Sequence, residues 1–285
     1  MPSHPIIDSH VHLWDPELLR YPWLAGNATL NRRHLPGDFT RASRGVTVDR
    51  MIFVQCEADP ADSLAEAVWV SGLAELEPRL AAIVAWAPLE KGAAVREDLE
   101  RLVEIELVRG IRRIIQFEPD RDFCLRPGFL AGVRLLAEFG LTFDICTDWT
   151  RLPQVIAFAR AVPTVPMVLD HIGKPPIASG EFEPWAGNLR VLAGSPNVSC
   201  KISGVATEAD HENWTDGALR PYIEQAIDAF GFQRIMFGGD WPVAVQAIGY
   251  ARWVGILDEI LGTAGEPQRR DFWSDNARRF YRLDV

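Results

Sequence analysis

The sequence predicts an α/β protein, a single-domain (β/α)8 barrel over residues 1–285. Three observations carry that prediction. Eight short apolar runs alternate with longer stretches of helical period, the pattern of parallel strands joined by right-handed helical crossovers. Successive runs begin about 25 residues apart at the closest, which leaves room for a returning helix. No Gly-rich nucleotide turn follows the first strand, which favours a closed barrel over an open sheet.

The strands begin at "PIIDSHVH" (5–12), "DRMIFVQCE" (49–57), "RLAAIVAWA" (79–87) and "GIRRIIQF" (110–117), then "GLTFDICT" (140–147), "VPMVLDHI" (165–172), "NVSCKISG" (197–204) and "RIMFGGDWP" (234–242). Between them, helical periodicity marks "DSLAEAVWVSGLAELEP" (62–78), "AAVREDLERLVEIEL" (93–107), "PGFLAGVRLLAEFG" (127–140), "LPQVIAFARAV" (152–162) and "LRPYIEQAIDAFG" (219–231). Several of these end at Gly or Pro, as helices commonly do. The longest irregular stretches are 13–47 and 173–190, after the first and sixth strands. No low-complexity run or Pro/Gly-rich linker divides the chain.

With 48% hydrophobic residues and 24% charged, a chain of this length can bury a large core and lies outside the disordered range. A net charge of -10 lacks the clustered positive charge that nucleic-acid binders need. The expected partner is a small molecule, with no nucleic acid and no membrane; nothing in the residues fixes an oligomeric state. No apolar run is long enough to span a bilayer, and the amino terminus lacks the basic and apolar regions of a secretory signal. Cys56, Cys124, Cys146 and Cys200 are far apart. Three of them sit in apolar, strand-like segments where a thiol is usually a small buried hydrophobe, and reduced thiols in the cytoplasm fit best.

In a barrel of this kind the carboxyl ends of the strands form the floor of the active site. His12, Gln55, Glu57, Gln116, His171 and Asp240 all fall there. Strand residues two apart share a face, so His10 and His12 are expected to point together, and Asp8 with them. By the same rule Arg112 and Gln116 share one face with Ile114, and Arg113 shares the other with Ile115. If the polar face is the interior, Arg112 is a donor to a substrate oxygen; the opposite register gives that part to Arg113. Lys201, between Cys200 and Ile202, requires a carboxylate or substrate oxygen for its amine. Trp14, Trp86, Trp149 and Trp241 are candidates to stack on a ligand ring.

"DSHVHLWDP", "VLDHIGKP", "CKISGVATEAD" and "MFGGDWPV", with "FWSDNARRFY" as a closing helix, together resemble the sugar-lactonase branch of the amidohydrolase superfamily. That branch includes fuconolactonase-like, rhamnonolactonase-like and pyrone-dicarboxylate-lactonase-like enzymes. The resemblance runs from residue 6 to about 281. It implies that Asp240 is the general base, that His171 orients the carboxylate or stabilises oxyanion charge, and that Lys174 reaches a substrate oxygen. His10 and His12 complete the catalytic set, and Arg112, Lys174, Trp14, Gln116 and Trp241 form the substrate-binding set.

Many members of the superfamily hold a divalent ion with two first-strand histidines, a fifth-strand histidine and the eighth-strand aspartate. Here the fifth strand, "LTFDICT", has no histidine. This leaves His10, His12 and Asp240 as metal ligands, with His171, Asp144, Cys146 or Glu57 as supplements. A lactone is an easier electrophile than an amide, so the expectation is that turnover strictly requires no cofactor, while a divalent metal such as zinc can still bind. The expected reaction is hydrolysis of a small aldonolactone to the hydroxy acid. The alternatives are lactone isomerisation and metal-dependent hydrolysis or decarboxylation. Trp14, Tyr21, Trp23 and Arg32 in the first long loop suit a neutral sugar, and the absence of an arginine cluster disfavours a dicarboxylate.

Overall fold

The computed structural model of the chain describes residues 1–2 and 4–283. Its strands are β1 (Ile6–Val11), β2 (Val48–Val54), β3 (Leu80–Ala85), β4 (Val108–Arg112), β5 (Thr142–Ile145), β6 (Met167–Leu169), β7 (Val198–Ile202) and β8 (Ile235–Phe237). They form one parallel sheet in sequence order. The ring closes just beyond β8: Asp240 N donates to His10 O (2.8 Å) and His12 N donates to Trp241 O (2.7 Å). The fold is a (β/α)8 TIM barrel.

The helices are α1 (Pro36–Ala42), α2 (Ser63–Leu73), α3 (Arg96–Val103), α4 (Pro127–Glu138), α5 (Leu152–Ala161), α6 (Trp185–Ala193), α7 (Asp216–Phe230), α8 (Tyr250–Ile260), α9 (Glu266–Arg270) and α10 (Asn276–Phe280). Two stretches expected to be irregular therefore contain structure. Residues 13–47 hold α1 and a bridge between Trp14 and His34, and residues 173–190 run into α6. The closing segment is not one regular helix, because a π-helical turn at Asp271–Asp275 precedes α10. Among the described residues no helix is long and apolar enough to cross a membrane.

The strands read as continuous apolar runs because both faces are buried. Outward residues such as Ile6, Phe53, Ile83, Phe143 and Phe237 join the large core between barrel and helices. Inward residues Ile7, Ile52, Val54, Ala82, Val84, Val168 and Met236 form a second cluster that Ala277, Tyr281 and Leu283 complete. The C-terminal segment thus plugs the floor, and the barrel interior above it is polar.

One strand breaks the expected alternation. The pairing of β1 with β2 shifts register between Asp8 and Val11, and a bulge of this kind re-aims side chains. Asp8 consequently does not share a face with His10. Its carboxylate accepts from Gly239 N (2.8 Å), His10 N (3.0 Å) and the Tyr250 hydroxyl (2.8 Å) of α8. Burial pushes the Asp8 carboxyl up to about 7 against these hydrogen bonds. β4 also ends at Arg112, so Gln116 lies in the following loop and not on the same strand.

Candidate active site

At the mouth, the closing seam sets Asp240 against the first strand. Asp240 Oδ1 lies 3.5 Å from His12 Nε2 and 3.7 Å from His10 Nε2, and the two imidazole nitrogens are 3.2 Å apart. His171 stacks at a tilt on His10, with centroids 4.6 Å apart, and its Nδ1 is 2.9 Å from Ser203 Oγ. Gly204 makes this approach possible. A Cβ at that position would lie 2.6 Å from His171 Nδ1 and 2.9 Å from Asp240 Oδ2, and its φ is +56°.

Backbone strain concentrates in the same place. Six described non-glycine residues have left-handed φ, and four of them, Glu57, His171, Lys174 and Asp240, line the mouth, with Ile172 between two of them in sequence. Such residues cost about 1–3 kcal/mol each and persist where the surroundings over-determine them, typically at functional sites.

A cavity of about 280 Å³ opens above these groups. His12, His171, Asp240, Arg112, Lys174, Gln116, Trp14, Trp23, Glu57 and Phe117 are among its lining residues. Of the residues expected at the site, His10 is fully buried behind His12 and reaches the cavity only through its neighbours. Trp241 is not brought to the cavity; its ring packs edge-on against His34 and Phe39. Trp86 lines a neighbouring groove. Trp14 is a pinned wall, its indole donating to Leu30 O (3.1 Å) and Arg32 O (2.9 Å).

The two arginines take opposite sides. Arg112 turns inward, with Nη1 3.4 Å from Asp170 Oδ2 and 3.3 Å from His10 Nε2, and donates from Nη2 to Gln55 O. Arg113 turns outward to Glu90 and Glu118. Beneath them, Lys201 is fully buried and finds carboxylates: Asp144 Oδ2 at 2.5 Å and Asp170 Oδ1 at 3.1 Å. Lys201 Nζ is also 3.2 Å from His10 Nδ1, and the Tyr281 hydroxyl donates to Asp144 Oδ2 (2.8 Å). Asp170, Ser203 and Tyr281 had not been singled out from the sequence. Asp170 carried a signal, a carboxylate inside the apolar run "VPMVLDHI"; Tyr281 carried none, since only the fold brings the C-terminus under the barrel.

Burial lowers the basicity of all three imidazoles, well below the ordinary histidine range for His10 and His171. Burial also opposes ionisation of Asp240, but His171, His12 and Lys174 outweigh it and hold the carboxyl below its usual range. Asp144 is pushed up to about 6 by burial despite Lys201. The mouth therefore presents imidazoles of lowered basicity around a carboxyl held towards its ionised form.

This donor set fits a divalent ion. His10, His12 and Asp240 offer one ligand atom each within a small radius. Their separations of 3.2, 3.5 and 3.7 Å match one face of a tetrahedron about zinc, whose edges are about 3.4 Å for bonds near 2.1 Å. His12 Nδ1 is 2.7 Å from Val54 O. A carbonyl only accepts, so Nδ1 carries the proton and Nε2 keeps its lone pair for the cluster. Among the described residues Asp144 of the fifth strand does not join this ligand group; its Oδ2 is held by Lys201 and Tyr281 below it.

A barrel with histidines and an aspartate gathered at its carboxyl rim defines a hydrolase-type site, and sequence comparison places it. The amidohydrolase family model matches residues 7–283, and the chain belongs to that family. An L-fucono-1,5-lactonase of Burkholderia multivorans is 34% identical, with 97% of this chain and 96% of the relative covered. An L-rhamnono-gamma-lactonase of Scheffersomyces stipitis is 22% identical over 99% of this chain and all of the relative. A crystal structure of an amidohydrolase from Burkholderia multivorans with bound zinc superposes with a TM-score of 0.87 at 32% identity, covering 99% of this chain and all of the other.

Proposed function

We propose that this protein is a lactonase that hydrolyses a small sugar lactone to the open-chain hydroxy acid, with Asp240 as the base. The observation that carries the reading is an ionised, strained Asp240 fixed on the closing seam, beside imidazoles, in a cavity sized for one sugar ring. The likeness to lactonases of fuconic and rhamnonic acids supports the substrate class.

Water attacks the lactone carbonyl while Asp240 takes its proton. Arg112 and Lys174, both lining the cavity, donate to the oxygen on which charge develops. Neutral His12 cannot do so through Nε2, because its proton is on Nδ1 and its Nε2 lone pair faces the cluster. In the tautomer in which Ser203 Oγ–H donates to His171 Nδ1 (2.9 Å), the His171 proton sits on Nε2 and is available to the substrate. Collapse of the tetrahedral adduct breaks the ring C–O bond, and Asp240 returns the proton to the leaving oxygen. A divalent ion held by His10, His12 and Asp240 would add Lewis acidity there. The residues that line the cavity already supply a base and two cationic donors, so turnover is proposed not to require it.

A pH-indicator screen of purified protein against a panel of aldonolactones tests the reading. Acid release from at least one of them is expected, and none from any would refute it.

A further inference from the structure

The inner cavity does not end at its rim. A groove of about 790 Å³ adjoins it between the loops after β1, β2 and β3 and the amino ends of α2 and α3, and Trp23 and Glu57 line both spaces. The inner cavity lies at the small end of ligand sites, whereas the groove is well within their range.

The junction is rigid. Trp23 is 40% exposed, yet its indole is pinned by a hydrogen bond to Cys56 O (2.7 Å) and an edge contact with Trp14. Glu57 holds a left-handed backbone, donates its N–H to Gln55 Oε1 (2.6 Å) and accepts from Gln55 Nε2 (2.7 Å). Further out, Trp86 and the exposed Leu64 continue the apolar surface. Most charges along the walls are paired, Lys91 with Asp98 (3.1 Å) and Arg113 with Glu90 (3.2 Å), and Arg101 adds one exposed guanidinium at the outer end. An immobilised, partly exposed indole with a carboxylate beside it, between walls whose charges are mostly paired, suits an uncharged polyol ring: its C–H face stacks and its hydroxyls donate.

We propose that the groove is an outer subsite for a glycosyl substituent, so that the protein takes lactones of glycosylated aldonic acids as well as single-ring lactones. This rests on the lactone reading of the inner cavity. The ring that reacts sits over Asp240, and the substituent passes Trp23 and Glu57 to lie against Trp86.

The test uses the stable product acids, gluconate and its glucosyl derivatives at successive hydroxyls, titrated by protein-observed NMR into the wild type, Trp86→Ala and Leu64→Trp. Leu64 is an exposed position near the amino end of α2 on the groove wall, so a larger side chain there narrows the groove. At least one disaccharide acid is expected to bind about tenfold tighter than gluconate. Both substitutions should remove that gain and leave gluconate affinity within about twofold. No tighter disaccharide, or a gain that survives both substitutions, overturns the outer subsite. Turnover of the corresponding lactones separates the two readings. Hydrolysis of single-ring lactones without any gain in binding overturns the subsite alone, and a gain in binding without hydrolysis of any lactone overturns the lactonase reading alone.

Discussion

Lys201→Met removes the ammonium buried in the barrel interior and leaves two carboxylates below the site. In the native protein that ammonium touches Asp144 (2.5 Å) and Asp170 (3.1 Å), all three fully buried. Asp170 keeps Arg112 at 3.4 Å and Asp144 keeps the Tyr281 hydroxyl at 2.8 Å, so neither is stripped bare. Breaking a buried ion pair by removing one partner costs about 3–5 kcal/mol, against roughly 5–15 kcal/mol for a whole protein. At about 2 °C per kcal/mol for a chain of this size, the melting temperature should fall by roughly 6–10 °C. The loss should depend on pH. Asp144 already sits at about 6, above its ordinary value, so it favours the fold when protonated and that contribution disappears as pH rises through the folded value. Without Lys201 the folded value moves higher still. The deficit should therefore be full near pH 8 and smaller near pH 5. Circular dichroism melts at both pH values provide the assay. A loss below about 1 kcal/mol near pH 8, or one equal at both pH values, would refute the reasoning.

Other expectations concern the mouth. Gly204→Ala should cost about 1–3 kcal/mol and most of the activity, because its Cβ meets His171 and Asp240 below 3 Å at a φ of +56°; a variant with normal turnover contradicts the packing. A base must be ionised, so kcat/KM should fall only as pH drops through the depressed Asp240 value. A profile flat from about pH 5 to 7 is expected, and an acid limb near 6.5 would assign the base to a histidine instead. Exhaustively chelated protein should retain its turnover, measured with residual metal determined by elemental analysis. Activity lost in proportion to metal and restored by zinc would make the His10, His12 and Asp240 ion essential.

The barrel was legible because parallel strands buried on two faces leave unbroken apolar runs; six of the eight runs contain their strands whole, while β2 and β4 begin one and two residues before theirs. What the sequence hid was local. α1 is seven residues, "PGDFTRA", too short to display a helical period. Asp8 was misplaced because period-two reasoning cannot see a bulge, and Gln116 because the apolar run "IRRIIQF" continues past the last paired residue of β4. The choice between Arg112 and Arg113 depends on which side of one strand meets Asp170, His10 and the Gln55 carbonyl, on or just after other strands, which no local pattern encodes. The need of Lys201 for an anion was readable from its apolar neighbours, but its partners, on β5 and just after β6, were not. Trp241 shares the quoted motif with Asp240 yet turns to His34 and Phe39, because the tight seam sends consecutive side chains to opposite sides.

Asp240→Asn, assayed against whichever aldonolactone the wild type hydrolyses best, tests most directly whether the seam carboxylate activates water. The substitution keeps size and the backbone bond to His10 O, so the melting curve should stay close to that of the wild type while kcat falls by about 10² to 10⁴-fold. Turnover within a few-fold of the wild type in a well-folded variant would contradict the account.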